Sequence, residues 1–153
     1  MRRKELQIRD KEMLEAILDR AQVCRIGLCY DNIPYIIPVC FGYRDNCLYI
    51  HSAREGKKIE MIRKNNSVCF EVEVDVELIR NKLACDFAVR YQSVIGFGTA
   101  HLIENEQEKM HALNILMDHY AQQPSYEYRE EVLPKCAIIK VEVHGMTGKR
   151  SRD

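Results

Sequence analysis

Apolar positions recur along this chain with two different periods. Behind Asp10, a helix N-cap residue, Met13, Leu14, Ile17, Leu18 and Ala21 form one stripe at helical spacing, predicting a helix through about Ala21. The period then drops to two. In Gln22–Tyr30 the apolar face is Cys24, Ile26, Leu28 and Tyr30, and Asp31-Asn32 turns the chain. Ile33–Tyr43 reads as a strand that is apolar on both faces, which requires protein or ligand on each side. Pro34 and Pro38 cannot donate to a ladder, so the strand should be an edge or bulged there.

Arg44-Asp45-Asn46 turns into a short strand, Cys47–Ser52, and a helix from about Gly56 to Lys64 buries Ile59 and Ile62. Ser67–Asp75 alternates, with Val68, Phe70, Val72 and Val74 inward. Residues 76–89 have no clear period and read as a loop with helical character. Tyr91–Ile103 is a long strand with Gly96 and Gly98 on one face, where a bend or a close backbone approach is expected. Asn105–Ala121 reads as an amphipathic helix carrying Met110, Leu113, Met117 and Tyr120. A polar connection with Pro124 and Pro134 leads to a last strand, Cys136–Val143, and a basic tail, Thr147–Arg152. Six strands at near-meander spacing with few helices predict a mainly β fold, a small antiparallel barrel with peripheral helices. A doubly wound sheet would need helices between most strands.

The 153 residues suit one domain spanning 1–153. Lys and Arg number 23 against 23 Asp and Glu, so no global charge favours nucleic acid or an anionic membrane, and neither is expected as a partner. No apolar run reaches membrane-helix length, and the basic start Met1-Arg2-Arg3-Lys4 lacks the apolar stretch of a signal peptide; the expected compartment is the cytoplasm. Seven cysteines without a C-x-x-C pair read as reduced, mostly buried small side chains. His111 and His119 are too far apart for an i,i+4 ligand pair and read as surface residues, so no metal is expected.

Three segments carry candidate chemistry. His51-Ser52-Ala53-Arg54-Glu55-Gly56-Lys57-Lys58 joins a strand to a helix and puts two lysines in the first turn, where cations oppose the helix dipole. Either they are solvated and Glu55 or Glu60 offsets the dipole, or a phosphate binds there and reverses the sign. The loop is not a Walker motif, and Gly96-Phe97-Gly98 lies in a strand rather than opening a helix as a dinucleotide fingerprint does. The other two segments are Tyr91–Gly98 and the two-sided Ile36–Phe41 strand.

Together, VCRIGLCYDNIPYIIPVCFGY, LYIHSAREGKKIEMIRKNNSVCFEV, YQSVIGFGTAHLI and MTGKRS resemble the 5-nitroimidazole-resistance proteins, within the pyridoxamine 5′-phosphate oxidase-like, flavin-binding split-barrel superfamily. The resemblance covers nearly the whole chain; Gln92 stands where many relatives carry Arg. It implies a split barrel forming a homodimer, with FMN, or alternatively FAD, at the subunit interface. The backbone of Ile37, Pro38, Val39, Cys40 and Phe41 would face the isoalloxazine ring. Ser52, Lys57 and Lys58 would hold the phosphate, His51 would lie near the reactive region as the catalytic candidate, and Tyr91, Gln92 and Ser93 would add contacts. The implied activity is a flavin-dependent oxidoreductase reducing small aromatic acceptors such as 5-nitroimidazoles. The alternative is a non-catalytic flavin-binding or flavin-sensing module.

Overall fold

The computed structural model describes residues 3–129 and 131–151. Eight strands form one antiparallel sheet: β1 (Gln7–Ile8), β2 (Cys24–Tyr30), β3 (Ile33–Val39), β4 (Gly42–Arg44), β5 (Cys47–Ala53), β6 (Ser67–Ile79), β7 (Ala88–Ile103) and β8 (Cys136–Arg150). The helices are α1 (Lys11–Arg20), α2 (Lys57–Lys64), α3 (Glu106–Tyr120) and the short α4 (Val132–Lys135). The strand order is β3-β2-β6-β7-β8-β5-β4, with β1 added to β8. Only Cys40 and Phe41 join the two ends of that path, so the sheet curls round on itself and stays split between β3 and β4. The expected mainly β split barrel is therefore present, with eight strands rather than six. The extra strands are β1 and a break of the Ile33–Tyr43 strand into β3 and β4.

Local chemistry accounts for the hairpins and caps. Asp31-Asn32 and Asp45-Asn46 all have positive φ, as the two-residue turns that match strand twist require. Asp10 Oδ1 accepts the Met13 N–H at 2.9 Å, and Asn105 Oδ1 accepts those of Gln107 and Glu108. The barrel core collects Ile26, Phe41, Leu48, Ile50, Phe70, Val72, Val94 and Val141, with Leu14, Ile17 and Leu18 of α1 closing one side. A second cluster joins Tyr49 and Ile138 to Ala112, Leu113 and Ile115 of α3. Gly96 is required where it stands, because a Cβ there would enter the fully buried Phe70 ring.

Five expectations need correction, the first being that the cysteines are mostly buried: only Cys24 and Cys136 are, Cys47 is half-buried, and Cys29, Cys40, Cys69 and Cys85 are exposed. Residues 76–79 and 88–89 are not loop: β6 and β7 continue beyond the barrel as a projecting hairpin past a bulge between Val74 and Glu77, with only Ala84–Asp86 helical. The basic segment 147–150 is not a tail but the end of β8, paired to β7 and β1; Arg152, like Met1 and Arg2, lies outside the described residues. The α3 stripe is Ala112, Leu113, Ile115 and Leu116, while Met110 and Met117 are only partly covered. His119 is no surface residue: its Nε2 lies 2.7 Å from the Ala21 carbonyl and its ring packs on Phe41 at 4.6 Å.

Candidate functional site

β3 is an edge strand, as its prolines require. Counting from the turn, Tyr30–Ile33, Leu28–Tyr35, Ile26–Ile37 and Cys24–Val39 are the hydrogen-bonded pairs, and Pro34, Ile36 and Pro38 fall between them. Neither proline breaks a ladder bond. The unpaired edge thus offers one N–H, that of Ile36. Tyr35, Ile37 and Val39 lean on the core, while Pro34, Ile36, Pro38 and Cys40 are exposed, Ile36 at 65%. At the end of the segment Phe41 is fully buried, and its N–H donates to Tyr120 Oη at 3.1 Å. Tyr120 in turn donates to the Gln22 carbonyl at 2.9 Å. The Phe41 N–H is therefore committed inside the protein.

The second segment lies at the other end of β3. Strand alternation puts Ser52 on the face of Leu48 and Ile50, at the end of the barrel interior, and exposed His51 on the opposite face with Tyr49. Gly56, at φ 117°, caps α2 without a side-chain hydrogen bond, so the first-turn N–H groups lack a protein side-chain acceptor. A Cβ on Gly56 would meet nothing within 4 Å, which leaves the helix end open to approach. Lys57 reaches back over Tyr35, with Nζ 4.5 Å from the ring centroid. Lys58 is half-buried, and burial pulls its ammonium below the ordinary lysine range. Ser52 near the end of β5 and Lys57 and Lys58 at the start of α2 flank the Ala53–Gly56 connection, and Tyr35, which no spacing rule ties to α2, lies under Lys57.

The third segment stands apart from the second. Ser52 pairs with Ala137 at the start of β8, whereas Gln92 and Ser93 pair with Arg150 and Lys149 at its end. That separation is roughly 40 Å along the strand. Gln92 Nε2 donates to Asp75 Oδ2 at 2.7 Å, and Asp75 also pairs with Arg20; both interactions hold its carboxyl below the usual range. Tyr91 Oη accepts from Lys149 Nζ at 2.8 Å, and its N–H donates to Ser151 Oγ. Within one chain, then, the phosphate candidates and the Tyr91–Ser93 group do not meet.

Cross-strand partners share a face. One row on the outside of the sheet reads Ile36, Gly27, Cys69 and Phe97, and the next reads Pro38, Arg25, Glu71 and Ile95. Gly27 makes a dimple in this face, since a Cβ there would stand 2.7 Å from Cys69 Sγ. A largely apolar cavity of about 610 Å³ opens over it between Pro34, Ile36, Ser67 and Phe97. The same face of β7 continues through Ser93 and Tyr91 to Val89, opposite Leu78 on the projecting hairpin. Ile36, Phe97, Ile95, Val89 and Leu78 are all exposed on this side of the sheet, interrupted by Arg25, Glu71, Ser93 and Tyr91. Among the described residues no cluster of three or more His, Cys, Asp or Glu could hold a metal, and no helix is long and apolar enough to cross a membrane.

Comparison with known proteins places the fold. A Bacteroides thetaiotaomicron protein, named as a candidate 5-nitroimidazole antibiotic resistance protein, has a crystal structure that superposes with a TM-score of 0.83. It is 36% identical, over 95% of this chain and 86% of that one. An FAD and heme binding protein from Mycobacterium smegmatis shares the fold at TM-score 0.83 and 19% identity, over 96% of this chain and 74% of its own. An uncharacterized protein of Rhizobium meliloti is 26% identical over 113 residues, 72% of this chain and 69% of its own. Residues 10–150 match the family described as pyridoxamine 5′-phosphate oxidase. With that match over most of its length and a relative 36% identical, the chain belongs to the pyridoxamine 5′-phosphate oxidase-like family.

Proposed function

We propose that this protein is a flavin-dependent oxidoreductase that reduces small aromatic acceptors, 5-nitroimidazoles among them, and works as a homodimer with FMN bound between subunits. The observation that carries the reading is the open N-terminus of α2. It has a glycine cap, free first-turn N–H groups, Lys57 and Lys58 in that turn, and Ser52 on the adjoining strand. Cations at this end are unfavourable without an anion and favourable with one. A flavin phosphate fits that donor set. β3 leads from it, with Tyr35 under Lys57 and then Ile37–Cys40, whose exposed edge would flank the ring. The Mycobacterium smegmatis fold relative, named as an FAD and heme binding protein, supports a flavin here.

When bound, the flavin would supply the redox chemistry, relaying six electrons from three equivalents of a nicotinamide donor, with six protons, to carry a nitro group to the amine and two waters. The chain's own residues bind and orient. Lys57, Lys58 and the α2 amides would hold the phosphate, β3 would position the ring, and His51, exposed on the face opposite Ser52, is the candidate proton donor or orienting group. Because the Tyr91–Ser93 group lies at the opposite end of β8 from Ser52, a ligand touching both would draw one set from a second copy. The exposed face of Ile36, Ile95 and Phe97 is the surface such a copy would cover.

Purified protein should show a flavin visible spectrum that bleaches under anaerobic NAD(P)H and recovers when a 5-nitroimidazole is added. A bound flavin that bleaches but never reoxidises with any nitroaromatic would favour the binding module. Absence of flavin affinity for both FMN and FAD would overturn the reading.

A further inference from the structure

We propose a second anion site, for a phosphoryl group, in the small cavity between the C-terminal half of α2 and the first turns of α3. Arg54, Arg63, Glu104 and Lys109 supply its charged lining, with Ile103 and Ala137 as apolar wall. Lys109 is the one charged side chain buried among the described residues, at 5% exposure. Among those residues it makes neither a hydrogen bond nor an ion pair through its side chain. No buried polar side-chain atom there is sealed away without a partner, so the ammonium reaches the accessible space that the cavity provides. Arg54 is held in place by the Pro134 carbonyl at 2.8 Å, which leaves the rest of its guanidinium free to donate. Arg63 stands in the last turn of α2.

Three cations and a single carboxylate leave a surplus of positive charge around a buried stem. Bringing such groups together is costly without an anion and favourable with one. The cavity holds about 30 Å³, room for roughly two water-sized groups. Two oxygens of a phosphoryl group would enter, and the remainder would stay at the mouth within reach of the two arginine forks, whose planar donors suit phosphate. A carboxylate-bearing ligand would match the arginines less fully, and a cation is excluded by the charge. The site uses none of Ser52, Lys57 and Lys58, although Arg54 comes from the same connection, so it does not need the flavin reading. Its ligand is either inorganic phosphate or a phosphate of a nucleotide.

Thermal unfolding of the flavin-free full chain, in chloride and in inorganic phosphate at matched ionic strength, tests it. The Lys57→Ala/Lys58→Ala background removes the first candidate site. In that background saturating phosphate should raise the midpoint by at least about 2 °C, as ligand linkage requires for a protein of this size. Adding Arg63→Gln should weaken phosphate binding about tenfold or more and abolish the rise. Lys109→Met should do the same; if it does not fold, the exposed pair Arg54→Gln/Arg63→Gln decides. A phosphate effect absent from the background, or one that survives these substitutions, overturns the site. Titrating FMN and FAD into Arg63→Gln separates the sources. Weakened FAD with unchanged FMN assigns the site to a nucleotide's second phosphate, and both unchanged assigns it to free phosphate.

Discussion

The ammonium of Lys57 lies over the ring of Tyr35, 4.5 Å from its centroid, and so ties the first turn of α2 to the edge strand β3. A cation–π contact at a partly exposed site contributes about 0.5–1 kcal/mol. Tyr35→Leu should therefore weaken flavin binding about two- to fivefold through a less ordered Lys57, whereas Tyr35→Phe, which keeps the ring face, should leave it unchanged. Fluorescence titration of the apo-protein measures both. Equal losses in the two variants would assign the effect to the hydroxyl instead.

Lys57→Ala/Lys58→Ala should weaken flavin affinity from about tenfold to several thousandfold, since each charge-assisted bond contributes about 1.5–3 kcal/mol and neighbours compensate in part. Lys58 adds a second readout. Its folded-state value lies below the ordinary 10.5 because it is desolvated, so folding disfavours its charged form. That penalty is fully present at neutral pH and is relieved as pH rises through the lowered value towards 10.5. Lys58→Met should raise the apo melting temperature at neutral pH, and the gain should shrink in alkali. A destabilised apo variant would show the ammonium to be satisfied without ligand.

Charging the outer face should split the proposed dimer. Ile36→Glu/Phe97→Glu places two carboxylates in one cross-strand row, with two strands between them, on surface exposed in the single chain. Folding should change little, while sedimentation should report a monomer with flavin affinity reduced at least about tenfold. A dimer of undiminished affinity would move the interface elsewhere.

Gly96→Ala forces a methyl group into the buried Phe70 ring, which is walled in by the barrel core. Overpacking of this kind typically costs about 1–3 kcal/mol, and denaturant melts should find the upper part of that range. Gly56→Ala meets no such wall, but it must hold a φ of 117°, so any loss there comes from the backbone.

All seven thiols are free, and they should separate by reactivity. Burial pushes Cys24 up to about 12, so it stays a thiol through mildly alkaline pH, whereas Cys29, Cys40, Cys69 and Cys85 are exposed. Thiol labelling of the native protein at pH 8 should therefore spare Cys24 and Cys136. Cys29 and Cys69, which border the apolar cavity, should label more slowly as protein concentration rises and the face is covered.

The barrel was legible because its strands carry their own two-residue period and their turns carry Asp-Asn pairs. The projecting hairpin was not: Val76, Leu78, Val89 and Phe87 are exposed on a single chain, so no inward face imposed an alternation. The 147–150 segment misled for a related reason, because β8 ends between β1 and β7, where polar residues face solvent. In the candidate site, the placing of Lys57 and Lys58 in the first turn of α2 was legible, since Gly56 does cap the helix there. Tyr35, Tyr120 and Asp75 were not, since each acts on a residue 17 or more positions away in the chain.

The placement of Pro34 and Pro38 bears on how association stops. Strand-to-strand growth between copies needs alternating donors and acceptors along a free edge, and β3 offers carbonyls with a lone amide between them. The β3 edge therefore resists extension by a strand of a second copy, and the proposed pairing of copies across the sheet surface would leave that edge unextended.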